Sequence, residues 1–158
     1  MPTKTAAAIG LAIGLAIGLA VALTAVLAGC GGAAPEPPAP AKVMQIAGSS
    51  VQRVQLTGPA AERLGVTTQG VRETSVTAAG TTAVHKVIPY AAVVYDTDGS
   101  TWAYVSTAVR TYVRSRITIL AIQGSTAVLH DGPAVGAPVV TVGAPELLGT
   151  EYNISGEE

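Results

Sequence analysis

The chain has one cysteine, Cys30, no phenylalanine, one tryptophan and two histidines. A single thiol cannot close an intramolecular disulfide, so stability has to come from an apolar core. The histidines, His85 and His130, have no His, Cys or carboxylate partner at a recognised metal-ligand spacing. Charged residues make up 12% of the chain and the formal net charge is −1. That is too little and too mixed to indicate nucleic acid or an anionic membrane surface as partner. At 158 residues there is room for one domain.

Catalytic signatures are also missing. There is no Gly-x-Ser-x-Gly elbow, no phosphate-cradling glycine loop, and the carboxylates are spread thinly. "DTDG", Asp96 to Gly99, has the look of a calcium loop, but neither the glycine at the sixth position nor the glutamate at the twelfth is present. It reads as a turn, as does Asp131 beside His130. No catalytic residue, metal site or cofactor is expected, and the chain reads as a non-enzyme.

What the sequence does hold begins at its N-terminus. Lys4 is the only charge before Cys30, and from Ala6 to Ala28 every residue except Thr24 is Ala, Ile, Gly, Leu or Val. A short basic start, an apolar core and a small-residue exit make a secretory signal. "LAGC", Leu27 to Cys30, has the form of a bacterial lipobox, cleaved before a cysteine whose sulfur is then acylated. Residues 1–29 are therefore read as a lipoprotein signal peptide and Cys30 as the lipidation site. Two other readings compete. The apolar run is long enough to span a bilayer, with Gly10, Gly14 and Gly18 at the spacing that lets membrane helices approach. An ordinary signal peptide with an incidental cysteine is the other. All three put the remainder outside the cytoplasm.

Residues 30–48 read as a lipidated tether, because Pro35, Pro37, Pro38 and Pro40 favour extended backbone and no periodic pattern asks for burial. From there to residue 150 the signals are those of strands. Val54 and Leu56 alternate with polar neighbours. Thr57 can cap a short helix with Pro59 and Glu62 in its first turn and Gly65 at its close. Val66 to Val71 is extended again. Thr74 to His85 is β-prone with weak patterning and a break at Gly80. "YAAVVYD" and "TWAYVST", Tyr90–Asp96 and Thr101–Thr107, flank "DTDGS" as a hairpin. "TYVRSRITIL", Thr111 to Leu120, alternates, with Val113, Ile117 and Ile119 opposite Tyr112, Arg114, Arg116 and Thr118. "TAVLH" and "VVTVG" supply two more strands. The expectation is a mostly β domain over 49–150, a β-roll or small antiparallel barrel of six to eight strands with one short helix, followed by a flexible acidic tail over 151–158.

Trp102 and Tyr104 share one face of their strand. Tyr112, Arg114 and Arg116, with Trp102 and Tyr104, form the candidate partner surface, since Arg and aromatic residues are enriched at interfaces. The competing reading of the two strand-mates Trp102 and Tyr104 is core packing. Four of the five tyrosines and Trp102 lie between Tyr90 and Tyr112, so an aromatic-lined pocket for a small molecule or envelope polymer is the alternative function.

Two blocks resemble a known family. "VQLTGPAAERLGVTTQGV" is similar to the opening of the mature part of periplasmic adaptor proteins, or membrane fusion proteins, which serve tripartite efflux pumps and some ABC transporters. "VIPYAAVVYDTDGSTWAYVSTAVRTYVRSRITI" with "GSTAVLHDGPAVGAPVVTVGAPEL" resembles their C-terminal, membrane-proximal domain. The shared plan falls on Pro89, Asp98, Gly99, Trp102 to Val105, Arg114, Arg116, Gly136, Val139, Val140, Gly143 and Leu147. In that family a β-barrel, a lipoyl domain and a helical hairpin are inserted between the two blocks, and between Val71 and Val87 there is no room for them. The resemblance implies the membrane-proximal β domain alone, without the channel-forming parts, docking on a transporter permease or envelope complex from the extracytoplasmic side of a bacterial membrane.

Overall fold

The computed structural model describes residues 38–78 and 80–152. The expected signal peptide, Cys30 and the start of the expected tether lie outside the described residues, as do the residues beyond Tyr152.

Ten strands form one curled antiparallel sheet, with two short helices against it. The strands are β1 (Ala41–Gln45), β2 (Gln52–Leu56), β3 (Thr67–Gly70), β4 (Arg72–Ala78), β5 (Thr81–Pro89), β6 (Val94–Tyr95), β7 (Thr101–Ala108), β8 (Thr111–Gln123), β9 (Thr126–Asp131) and β10 (Pro138–Val142). The helices are α1 (Gly58–Leu64) and α2 (Ala144–Glu151), and Tyr90–Ala92 is a 3-10 turn. Along the main path the order is β3-β10-β7-β8-β9-β5-β4. β1 pairs with β2, β2 also with β8, and β6 with β7. The mostly β architecture is the one expected, with more strands and one more helix than the sequence suggested.

The spine is β8, whose 13 residues serve both halves of the sheet. Residues 111–117 pair with β7, residues 111–113 also with β2, and residues 118–123 with β9. Register shifts at Thr118/Ile119 and Ile119/Ala121 mark where the strand passes from one set of partners to the other. Bulges of this kind bend a strand and raise its local twist, which curls the sheet.

Both faces of the β7/β10 region are covered, so neighbouring residues enter different cores. Ala103 and Val139 pack with Val71, Ile88, Ile117 and Leu129 on one side. Tyr104 and Val140 pack with Val54, Leu56, Tyr112 and Leu147 on the other, under α1 and α2. Burying a side chain such as Leu147, fully inaccessible here, contributes about 2 kcal/mol.

Local chemistry explains the punctuation. Thr57 Oγ1 accepts from the Ala60 amide at 3.4 Å, and Gly65, at φ +60°, closes α1 with its N–H bonded back to Ala61 and Glu62. Glu62 sits one position beyond the first turn rather than within it. The Asp96–Ser100 turn joins β6 to β7 as expected, with Gly99 at φ +79°. The strand before it is shorter than expected, because Tyr90–Ala92 coils and Ala92 is buried instead of continuing the ladder.

Two boundaries differ from the sequence reading. Ala41–Gln45, expected as tether, is a strand whose register against β2 runs from Ala41↔Leu56 to Gln45↔Gln52. Four of its five side chains are exposed, so it is held by backbone pairing and leaves no apolar period to read. Glu151 and Tyr152, expected in the acidic tail, belong to a helix end. Glu151 is the last residue of α2 and is 5% exposed, and Tyr152 caps that helix end.

Candidate functional site

Cross-strand register sets the site. Trp102 lies opposite Arg116, Tyr104 opposite Arg114, and Ser106 opposite Tyr112. These residues share the face that α1 and α2 cover, so most of the expected partner surface is interior. Tyr104 is 0% exposed, Tyr112 5% and Arg114 8%. Trp102 is half-buried and Arg116 exposed. Alternation along β8 gave the common face correctly. That the face meets helices rather than water follows from chain segments far away in sequence.

Arg114 is the centre of a closed cluster. Its Nη1 lies 2.6 Å from Asp96 Oδ2, in the β6–β7 turn, and its Nε 3.0 Å from Glu151 Oε1, at the end of α2. The Nε contact is an ion pair off the hydrogen-bonding direction, which leaves Nε without a hydrogen-bond acceptor. The guanidinium lies over the rings of both Trp102 and Tyr152, 4.6 and 5.2 Å from their centroids. Glu151 Oε2 accepts from the Tyr104 hydroxyl at 2.5 Å, and Oε1 from the Gln52 amide at 3.1 Å. The Tyr152 hydroxyl shares its proton between the Asp96 oxygens, at 2.7 and 2.9 Å, and accepts from Arg114 Nη1 at 3.0 Å.

The electrostatics follow from these contacts. The Tyr152 hydroxyl, the Thr97 amide and Arg114 hold the Asp96 carboxyl down at about 2. Burial, then the bond to Glu151, pushes the Tyr104 phenol well above its ordinary value. Burial, the largest single effect on Arg114, would lower it, and the bond to Asp96, the Glu151 charge and Tyr152 together outweigh that and raise it. Every carboxylate oxygen in the cluster has a donor or a cation, so the arrangement ties α2 and the β6–β7 turn to the sheet. Asp96, read as a turn residue, and Glu151 and Tyr152, read as tail, were missed. The one available signal was "GAPELLGTEY", whose proline sits early in α2 where helices accept it.

Outside the clasp, Arg116 sits 5.9 Å from the Trp102 centroid and is in no ion pair among the described residues. Ser100, first through its hydroxyl and then its amide, lowers the Asp98 carboxyl. Trp102, whose indole N–H donates to Ser100 Oγ at 2.7 Å, and Arg116 are thus what remains of the stripe for a partner.

The two histidines come closer than their sequence positions suggest. Lys86 pairs with Leu129, so His85 and His130 occupy the next positions on adjacent strands. Among the described residues no group of three or more His, Cys, Asp or Glu could hold a metal ion. An open groove of about 450 Å³ is lined by Gln69, Arg72, Pro89, Tyr90, Ser125 and Thr126 among others. Tyr90 is its only aromatic, while Trp102, Tyr104 and Tyr112 lie on the helix-covered face. The aromatic pocket foreseen from the clustering of tyrosines is therefore not assembled there.

No family model matches this chain, and no curated protein matches it.

Proposed function

We propose that this chain is a non-enzymatic, membrane-anchored extracytoplasmic lipoprotein, resembling the membrane-proximal domain of efflux adaptors, whose β domain docks on a transporter or envelope complex. The observation that carries the reading is how the two resembling blocks meet. β2 and β3, from the first block, pair with β8 and β10, from the second. The segment between the blocks is a β4–β5 hairpin with seven paired rows. A tight hairpin closes at little entropic cost, so the two flanks form one sheet without an inserted domain.

The saturated Arg114 cluster also favours a binding module, since its carboxylates already hold a cation or a donor. Arg116 and the exposed part of Trp102 are the groups offered to a protein partner. The lipid on Cys30 holds the domain at the membrane, where effective concentration lets a weak contact suffice. In native membranes, a photo-crosslinker at Arg116 should capture an integral membrane protein. Capture of soluble proteins alone, or of none, contradicts docking.

A further inference from the structure

One end of the sheet gathers features that the clasp and the docking stripe leave unused. The Pro40 carbonyl accepts from the Thr57 amide at 2.9 Å and from Thr57 Oγ1 at 3.1 Å. Next to Thr57, the Leu56 amide donates to the Arg110 carbonyl at 2.9 Å. The segment leading to the N-terminus therefore joins the domain beside the β7–β8 turn.

That turn is unusual in chemistry. Ala108 pairs with Thr111, leaving Val109 and Arg110 as its two central residues. Val109 is 78% exposed, the most exposed large apolar side chain among the described residues. Arg110 has φ +54° and is the one non-glycine residue with positive φ among the described residues. Two-residue hairpin turns ordinarily use Asn or Gly there. The Thr111 hydroxyl fixes the turn by donating to the Val109 carbonyl at 3.0 Å.

Two further cations lie along the neighbouring strands. Lys42 lies one row in from this end, opposite Gln55, which in turn pairs with Thr111. Arg53 lies two rows further, beside the exposed Met44. Among the described residues none of Lys42, Arg53 and Arg110 is in an ion pair. Glu62 and Arg110 line the same shallow groove. The formal net charge of −1 is a whole-chain figure and does not report this local grouping.

We propose that the Val109–Arg110 turn is a bilayer-contacting tip. Val109 enters the headgroup region while Arg110 and Lys42 face anionic lipid. A Lys or Arg held near an anionic membrane surface is attracted to it, and an exposed apolar side chain beside such cations suits the interface. The proposal rests on the reading that the N-terminus anchors the chain. It orients the domain: β8 runs away from the tip for 13 residues, up to about 40 Å for a straight strand.

The test uses the full chain in phosphatidylcholine vesicles, with and without phosphatidylglycerol. An environment-sensitive fluorophore is placed at Val109→Cys or, as control, at Gln123→Cys, an exposed position at the far end of β8. The label at 109 should shift to the blue and be quenched by bilayer-buried quenchers in phosphatidylglycerol vesicles, and the label at 123 should not. In the Lys42→Glu/Arg110→Glu background that shift should be lost, with the β circular dichroism unchanged. A chain that floats with vesicles while both labels stay equally aqueous overturns the tip and leaves anchoring intact. A chain that does not float overturns both.

Discussion

Arg114 shows how a surface-type residue becomes structural. Its guanidinium exchanges water for two carboxylates and two aromatic faces. Removing one partner of a buried charge cluster leaves the others uncompensated, which costs more than the cluster itself contributes. Arg114→Met should lower unfolding stability by about 3 kcal/mol in urea titrations. Tyr104→Phe, which takes the donor from Glu151 Oε2, should cost about 1–2 kcal/mol by the same measurement. Asp96 gives a pH signature. Its carboxyl is held at about 2 against an ordinary 3.8, so the folded state binds this proton less readily than the unfolded state. The stabilisation is complete above the ordinary value and is lost as pH falls from about 4 to about 2. Acid titration of stability should show that limb, and Asp96→Asn should flatten it. Tyr104 acts oppositely: its raised pKa lets stability fall once pH passes the ordinary tyrosine value near 10.

Among the elements, α1 was legible because its ends carry chemistry that only caps need. Thr57→Ala should cost about 1 kcal/mol by thermal or urea unfolding, and Gly65→Ala a similar amount, since Gly65 is left-handed at φ +60° with open space around it. The β6–β7 turn was legible for the same reason. β1 was not, because a strand with four exposed side chains leaves no periodic trace. Hydrogen exchange should find its amides far less protected than those of β7, whose strand has neighbours on both edges. α2 escaped notice because its N-cap is Gly143 without a side-chain bond and its length is eight residues. The role of Glu151 then depends on a partner at position 114, a separation no local pattern can report.

The described residues form a small sheet curled about one long strand, and their fold class followed from strand and turn signals spaced about ten residues apart. The burial of the Tyr112 and Arg114 side chains did not, because it depends on which elements cover the sheet. At the scale of the whole chain the central proposal is that the β domain is held at a membrane through its N-terminus. Intact-mass measurement of the protein extracted from bacterial membranes tests it most directly. The extracted chain should begin at Cys30 and carry fatty-acyl mass on that residue. A chain retaining residues 1–29 with an unmodified Cys30 thiol would contradict it.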